Sequence, residues 1–445
     1  MSENVFEKGP VYKVYFKMAI PVVMGLVISI VYNLTDTYFI SQTNNTNLIA
    51  GVSVCAPIFT LLMAFGNIFG QGGSSLISRL LGKNDIDNLH RVSSFCFYVA
   101  IAFGVVSGFI MLALKTPIVH LLGADDEVFP YAVSYYTWFS IGAPFVVLSF
   151  IHSNLMRAEG MSTHSMISTV GGSVLNIILD PILIFKFNLG ASGAAIATVL
   201  GYIFTDIYGL IIVFYKSKAL SVNPNKVRLD SESVGQIFGI GISAALTNIT
   251  SSICMILTNH QLLDFGNDKI AIMGIVQKVS MIVMLVIVGF SFGGAPLVGY
   301  YYGSQNQKRL RDLLLFVLKF LGSLSVGMSL IMVIFASQAM SFFFEEEIMI
   351  TEGALMLRAQ VITMVLMAVV LFGTIIFQAT GKSIPALVLS LSRQGVVYVI
   401  VLFVMAKILG YNGIIFSQAV SDLISAIIAV VLLKYIFARE LLSKA

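Results

Sequence analysis

Residues 19–41 form the stretch AIPVVMGLVISIVYNLTDTYFIS, in which Asp36 is the one ionised side chain. A run of about 20 apolar residues is long enough to cross the hydrocarbon core of a bilayer as a helix. An ionised side chain within such a run is costly in lipid and is retained mainly where it has a function. This stretch therefore predicts a transmembrane helix that carries a candidate functional acid.

Similar apolar runs recur along the whole chain of 445 residues, which is 58% apolar and 11% charged, with a mean hydropathy of +0.93. A soluble domain carries about 25% charged residues, so the composition excludes a soluble protein. The net charge of +4 is too small to favour nucleic acid as a partner. Twelve transmembrane helices are predicted, over residues 14–41, 48–80, 92–115, 130–154, 164–186, 191–215, 234–262, 269–301, 312–336, 351–378, 384–408 and 412–435. The predicted fold class is an all-α membrane protein.

Lysine and arginine are unevenly distributed between the two sides of the twelve predicted spans. Of the 26 basic residues, nineteen fall on the side that holds both termini. The other side holds only Lys115, Lys186, Lys269 and Lys407. The positive-inside rule then places both termini in the cytoplasm.

An internal repeat divides the chain into two related halves. The stretch FGQGGSSLISRLLGKND at 69–85 has a counterpart, SFGGAPLVGYYYGSQNQ, at 291–307. At an offset of 221 residues, Gly72, Gly73 and Gly82 match Gly293, Gly294 and Gly303. At the same offset MRAEG at 156–160 aligns with FQATG at 377–381. Two matches at one offset indicate a duplication. We predict an N-terminal six-helix bundle over 1–215, a cytoplasmic linker over 216–233 and a C-terminal six-helix bundle over 234–445.

The even number of spans in each half gives both halves the same orientation in the membrane. Two such bundles are related by an axis along the membrane normal. Parallel repeats are typical of transporters in which two bundles move against each other around a substrate path. We therefore predict a transporter and not an enzyme.

Four aspartates fall within predicted spans: Asp36, Asp180, Asp206 and Asp422. An Asp at the centre of a transmembrane helix costs about 2.5–3.5 kcal/mol on insertion scales, so each is a functional candidate. Asp36 and Asp180 form the strongest pair, because their counterparts in the second half are near Asn259 and at Val401. For Asp206 and Asp422 a purely structural role, by local pairing that locks helices together, stays equally open.

The neighbours of the acidic pair suit a small cation. Asn33 and Thr37 share a helical face with Asp36, and Asn176 lies one turn before Asp180. Carboxylate, amide and hydroxyl oxygens are the ligands of small hard cations. Removal of a carboxyl group from water also favours its protonated form. Both Na⁺ and H⁺ stay open as the ion bound here.

The remaining polar residues within the spans fall into two sets, structural charges and candidate substrate-path residues. The basic residues are interpreted as snorkelling or paired structural charges: Lys278, Arg358 and Arg393. A further set consists of candidate substrate-path residues: Asn33, Thr37, Asp206, Asn259 and Gln277.

The order and spacing of several stretches resemble the multidrug and toxic compound extrusion (MATE) family over essentially the whole chain. The bacterial DNA-damage-inducible and staphylococcal multidrug exporter branches are the most similar. Besides 19–41, the resemblance rests on GNIFGQGGSSLISRLLGKND at 66–85, LMRAEG at 155–160, LNIILDPILIF at 175–185, GASGAAIATVLG at 190–201 and SLSRQG at 390–395. No one motif is decisive, and the specificity lies in their combination.

The resemblance implies an exporter of amphipathic, usually cationic drugs in exchange for Na⁺ or H⁺, by alternating access in the bacterial inner membrane. It implies a role in antibiotic resistance, a monomer surrounded by lipid, and no cofactor beyond the coupling ion. In one branch the coupling cation lies between the first and fifth spans, and that motif falls on Asp36, Asn176, Asp180 and Thr198. A bend that the family proposes in the first helix falls on Pro21.

Two other functions fit the sequence less well. A lipid-linked glycan or lipid flippase would need several cations for pyrophosphate, and the spans offer only Lys278, Arg358 and Arg393. An intramembrane aspartyl protease would need a GxGD-type motif, which neither Asp36 nor Asp180 has.

Some MATE proteins carry acids in the seventh and tenth spans, where this chain has only Glu352 at the mouth of the tenth. Coupling through the C-terminal bundle is therefore disfavoured.

Overall fold

The fold consists of membrane-spanning helices. The computed structural model describes residues 6–7 and 9–441, and the regular structure within these residues is helical throughout. The outermost residues of the predicted bundles 1–215 and 234–445 lie outside the described residues, as do two of the basic residues counted above, Lys8 and Lys444.

Within the described residues twelve spans are long and apolar enough to cross a membrane, which confirms the predicted number. The predicted bounds differ from the observed bounds by a few residues. Numbered in chain order, spans 1 to 12 are Val11–Ser41, Thr46–Gly82, Ile86–Ala113, Phe129–Ala158, Ser162–Lys186, Gly190–Tyr215, Ser231–Leu263, Asp268–Gly303, Gln307–Ile334, Glu347–Ala379, Ser383–Leu409 and Tyr411–Ile436.

Four spans are interrupted helices, and short helices lie between spans. Span 2 comprises Thr46–Val54 and Ala56–Gly82, span 5 comprises Ser162–Pro181 and a π-helical turn Ile182–Lys186, span 10 comprises Glu347–Val361 and Met364–Ala379, and span 11 comprises Ser383–Arg393 and Val396–Leu409. The short helices are Lys115–Leu121, Pro224–Lys226 and Ala336–Ser341. In span 5, Pro181 removes one backbone donor where the helix changes to the wider turn.

The two halves pack together at the end of the molecule where span 1 begins, here called the termini side. Gly72 of span 2 lies against the backbone of span 7, and Gly293 of span 8 lies against that of span 1. At the ends of spans 2 and 8, Gly82 and Gly303 lie against each other's last turns. Small residues allow helix backbones to approach this closely. The glycines of the internal repeat thus form the contact between the halves, and we call these four residues the glycine seam.

The segment between the halves is bound to the N-terminal half. The carboxylate of Glu159, at the end of span 4, accepts hydrogen bonds from the backbone N–H of Lys218 at 2.9 Å and of Ala219 at 3.1 Å. Ser93 of span 3 donates to the carbonyl of Ser221 at 2.9 Å and accepts from its N–H at 2.8 Å. The start of the predicted linker is therefore fixed to spans 3 and 4.

Glu159→Gln is expected to release the start of the linker while the bundle stays folded. A hydrogen bond to a charged group contributes about 1.5–3 kcal/mol, and a neutral amide accepts more weakly. We expect hydrogen exchange of the Lys218 and Ala219 amides to become about tenfold faster, as measured by mass spectrometry. Glu232→Gln is the control, because within the described residues the Glu232 carboxylate accepts a hydrogen bond from Gln236 alone, on an exposed helix face. Equal exchange in the wild type and Glu159→Gln would contradict the role of this carboxylate.

Candidate functional site

A cavity of about 410 Å³ lies beside the glycine seam, and most of its wall belongs to the N-terminal half. Spans 1, 2, 4, 5 and 6 form most of its wall, and spans 7 and 8 contribute the rest. Its volume falls in the range of about 300–1,000 Å³ that is typical of small-molecule sites. The aromatic part of the wall comprises Tyr32, Phe59, Phe150, Tyr202 and Phe292. The cavity can therefore accommodate an amphipathic molecule of drug size.

Asp36 of span 1 and Asp180 of span 5 come together about one helical turn beyond Asn33 and Asn176 of the cavity wall, and neither aspartate is among the residues that line the cavity. Their carboxyl groups lie close enough to interact directly. Asp180 is fully buried and Asp36 is half-buried. Among the described residues, Asp36 Oδ1 and both carboxylate oxygens of Asp180 have no hydrogen-bond partner. Two neighbouring carboxylates without a donor between them favour a bound cation or proton that balances their charge.

Asn176 and Thr198 complete the set of four residues expected at the coupling site. Asn176 Nδ2 donates to Thr198 Oγ1 at 3.3 Å, and both residues line the cavity. Asn176 Oδ1 is buried and receives no hydrogen bond within the described part of the chain. The structure thus brings together carboxylate, amide and hydroxyl oxygens of the kind that bind a hard cation.

Three tyrosines border the same site and were not singled out by the sequence analysis. Tyr32, Tyr135 and Tyr202 lie around Asp36, and Tyr32 also interacts with the Thr198 hydroxyl. Tyr32 precedes Asp36 by one helical turn, a spacing that the sequence already contains. The other two tyrosines come from spans 4 and 6, and nothing in their local sequence indicates which way they face. Aromatic rings in these positions suit an organic cation.

The candidate hinge and substrate-path residues lie in different places. Asn33 lines the cavity. Thr37 is exposed, and its hydroxyl donates to the Asn33 carbonyl at 2.9 Å. Asn259 and Gln277 are half-buried in the C-terminal half, outside the cavity wall. Pro21 lies within the continuous helix of span 1.

Asp206 and Asp422, the other intramembrane acids, are buried in pairs with bases. The carboxylate of Asp206 lies 3.4 Å from His152 Nδ1, behind the cavity wall. Asp422 accepts hydrogen bonds from Arg393 at 3.0 Å, from Gln418 at 2.8 Å and from Thr363 at 3.1 Å. Arg393 therefore lies in a structural network of the C-terminal half, in keeping with its interpretation as a paired charge.

The remaining charges of the C-terminal spans lie away from the cavity. Lys278 is exposed, and Arg358 donates to a backbone carbonyl of span 9 at 3.2 Å. Glu352, at the mouth of span 10, forms an ion pair with Lys269 and accepts a hydrogen bond from Tyr411 at 3.1 Å. These contacts join spans 8, 10 and 12 at the side opposite the termini.

Twelve spans in two related halves, with a drug-sized cavity beside the contact between the halves, define a membrane transporter. The MatE family model matches residues 21–182 and 243–404, with one copy in each half. The multidrug export protein MepA of Staphylococcus aureus is 32% identical over 427 residues, which cover 96% of this chain and 94% of MepA. The chain therefore belongs to the MatE family of multidrug export transporters.

Solved structures have the same fold. A MOP superfamily transporter from Pyrococcus furiosus superposes with a TM-score of 0.91 at 23% identity and covers 99% of each chain. An outward-facing multidrug resistance MATE family transporter superposes with a TM-score of 0.89 at 24% identity and covers 96% of each chain. These similarities confirm the predicted all-α fold with two six-helix bundles.

Proposed function

We propose that the protein is an antiporter that exports amphipathic organic cations in exchange for Na⁺ or H⁺ by alternating access. The observation that carries this proposal is the set of acceptor oxygens on Asp36, Asn176 and Asp180, which receive no hydrogen bond within the described residues. Asn176 lines the drug-sized cavity, and the two aspartates lie next to its wall. An ion or proton satisfies those oxygens, and the adjoining aromatic wall suits an organic cation. The relationship to a multidrug export protein supports the same class of substrate.

The arrangement of the halves corresponds to an outward-facing state. On the termini side, the glycine seam joins span 2 to span 7, span 1 to span 8 and span 2 to span 8. The distribution of basic residues assigns this side to the cytoplasm. Asp36 and Asp180 lie near the opposite ends of spans 1 and 5. The acidic pair therefore lies toward the side from which an external ion arrives, and Asp180 is fully buried in this state.

Coupling arises because the ion and the drug compete for the same negative charge. An ion bound between Asp36 and Asp180 neutralises the pair, whereas a cationic drug in the cavity is bound best when the pair is ionised. A complete swing of the two states from 1:99 to 99:1 needs a difference in binding free energy of about 5.5 kcal/mol. A lipid-linked glycan flippase is disfavoured, since Arg157 is the one basic residue in the described cavity wall and pyrophosphate would need several.

Ethidium efflux from vesicles that contain the purified protein tests this proposal. A Na⁺ gradient and a pH gradient are imposed separately, with protein-free vesicles as the control. Efflux driven by Na⁺ alone would support a sodium site formed by Asp36, Asn176, Asp180 and Thr198. Efflux driven by the pH gradient alone would support proton binding by the two aspartates. The absence of efflux under both gradients would overturn the proposed function.

A further inference from the structure

Behind the cavity wall, His152 of span 4 and Asp206 of span 6 form a second buried pair that the coupling described above does not use. Both residues are only 3% exposed. His152 Nδ1 and Asp206 Oδ1 are 3.4 Å apart, which is long for a hydrogen bond. Both ring nitrogens and both carboxylate oxygens lack a hydrogen-bond partner within the described residues. The ring of Phe97 lies over the imidazole, with 5.7 Å between ring centroids.

The C-terminal half contains a buried ion pair that serves as an internal comparison. Asp422 is paired with Arg393, and both of its carboxylate oxygens accept hydrogen bonds at 2.8–3.1 Å. Arginine stays protonated in proteins, so that pair has a fixed charge. Histidine and aspartate can each gain or lose a proton, so the His152–Asp206 pair can change its net charge. The His152–Asp206 pair therefore differs from the Arg393–Asp422 pair in two ways: its polar atoms lack hydrogen-bond partners within the described residues, and its net charge can change.

The pair lies directly behind residues that line the cavity. Ser149 and Ser153 flank His152 on span 4, and Thr205 precedes Asp206 on span 6, and all three flanking residues line the cavity. Thr198, at the coupling site, is eight residues before Asp206 on the same helix. At about 1.5 Å per residue this separation is about 12 Å along the helix, toward the termini side. A charge in the cavity therefore acts on the pair through a thin wall in a medium of low dielectric constant.

The pair occurs in only one of the two repeated halves. At the offset of 221 residues its counterparts are Gly373 and Ile427, neither of which is ionisable. The acidic pair of the coupling site, Asp36 and Asp180, is confined to the N-terminal half in the same way. The His152–Asp206 pair therefore lies in the same half as the acidic pair and most of the cavity wall.

The neighbouring titratable groups are engaged elsewhere. His152 is the one titratable group that acts on Asp206 within the described residues. On span 5, His164 forms a hydrogen bond with the hydroxyl of Tyr208 of span 6 at 2.9 Å. On span 4, Arg157 donates to the asparagine one turn before it at 2.7 Å. The protonation of the pair is thus governed by its own two members and by the charge in the cavity.

We propose that the His152–Asp206 pair is a second proton-binding site, which loses its proton when a cationic substrate enters the cavity. This inference rests on the proposed function. With one proton on the imidazole the pair is a carboxylate beside an imidazolium and has no net charge. Departure of that proton to water leaves neutral His152 beside the carboxylate, with a net charge of −1. A buried net charge is costly unless an opposite charge lies nearby, and the cationic substrate supplies one.

Nitrogen-15 NMR of histidine-labelled full-length protein in lipid nanodiscs tests the site directly. The chain has five histidines, and the signal of His152 is identified by its absence in His152→Gln or, where that variant does not fold, by its shift in Asp206→Asn. At a fixed pH we expect addition of ethidium to convert the wild-type signal from imidazolium to neutral imidazole. A signal that does not respond to ethidium between about pH 5 and pH 9 would overturn the proposal.

Proton release on ethidium binding provides a second readout. A pH-indicator dye in weakly buffered solution reports the protons released per protein, and Asp206→Asn is expected to release about one proton fewer than the wild type. Asp126→Asn, which changes an exposed carboxylate, is the matched control. Gradient-driven efflux in the wild type together with unchanged proton release in Asp206→Asn would refute the second site alone. The absence of gradient-driven efflux in the wild type would refute the proposed function itself.

Discussion

Asp36→Asn is expected to reduce gradient-driven ethidium efflux to the level of protein-free vesicles. Asparagine has nearly the same shape as aspartate, but its side chain carries no charge. It can therefore neither take up a proton nor neutralise a bound cation. Asp180 then remains without its acidic neighbour, whose carboxyl it faces in the wild type. A complete swing between the two states needs about 5.5 kcal/mol. Loss of half of this free energy changes the ratio of the two states by about 100-fold.

The control for this prediction is Asp126→Asn. This variant makes the same chemical change at an exposed position on the side opposite the termini. Its ethidium efflux is therefore expected to equal that of the wild type. Size-exclusion profiles and thermal unfolding should be unchanged in both variants. Wild-type efflux from correctly folded Asp36→Asn would show that the acidic pair does not couple ion entry to export.

The second large effect is expected for Gly72→Val in the glycine seam. A β-carbon at position 72 would overlap the backbone of Ile237 in the opposite half, and backbone is less able than a side chain to move aside. Overpacking of this kind costs about 1–3 kcal/mol. It destabilises only the state in which the seam is closed, so the ratio of the two states is expected to change by about 5- to 150-fold in favour of an open termini side.

Distance measurements between spin labels on the opposite side can test this shift. Leu121 and Phe342 are 87% and 84% exposed, in the two halves, and the native cysteines are buried, so labels attach to cysteines introduced at these two positions. Gly72→Val is expected to shorten the dominant distance between the labels. Gly322→Val is the matched control, because a β-carbon at position 322 meets open space. The same distance distribution in both variants would contradict a gating role for the seam.

Hydropathy could predict the number of spans, because each must supply about 20 apolar residues whatever its neighbours are. It could not predict the breaks in spans 2, 10 and 11, since each break lies within a run that is long and apolar enough to be a single span. At such a break the freed backbone groups are satisfied by the surrounding protein. That surrounding structure is absent from a one-dimensional pattern.

The acidic pair could be predicted because a charge within an apolar run is conspicuous. Tyr135 and Tyr202 could not, since tyrosine is common in apolar helices and these spans have hydrophobic residues on all faces. Helical periodicity then gives no direction for a side chain. For the same reason Asp206 was predicted to lie on the substrate path, while its pairing with His152, from another helix, had no sequence signal.

The attachment of the linker to the N-terminal half limits how the two bundles can move. Beyond Ser221 the connection is held again at Lys226, whose ammonium group lies 3.3 Å from Asp87 and 3.0 Å from His90. Span 7 begins at Ser231, so only residues 227–230 are left to act as a joint. Four extended residues reach about 14 Å at most. The connection between the bundles is therefore short, and it limits how far the start of span 7 can move away from span 3.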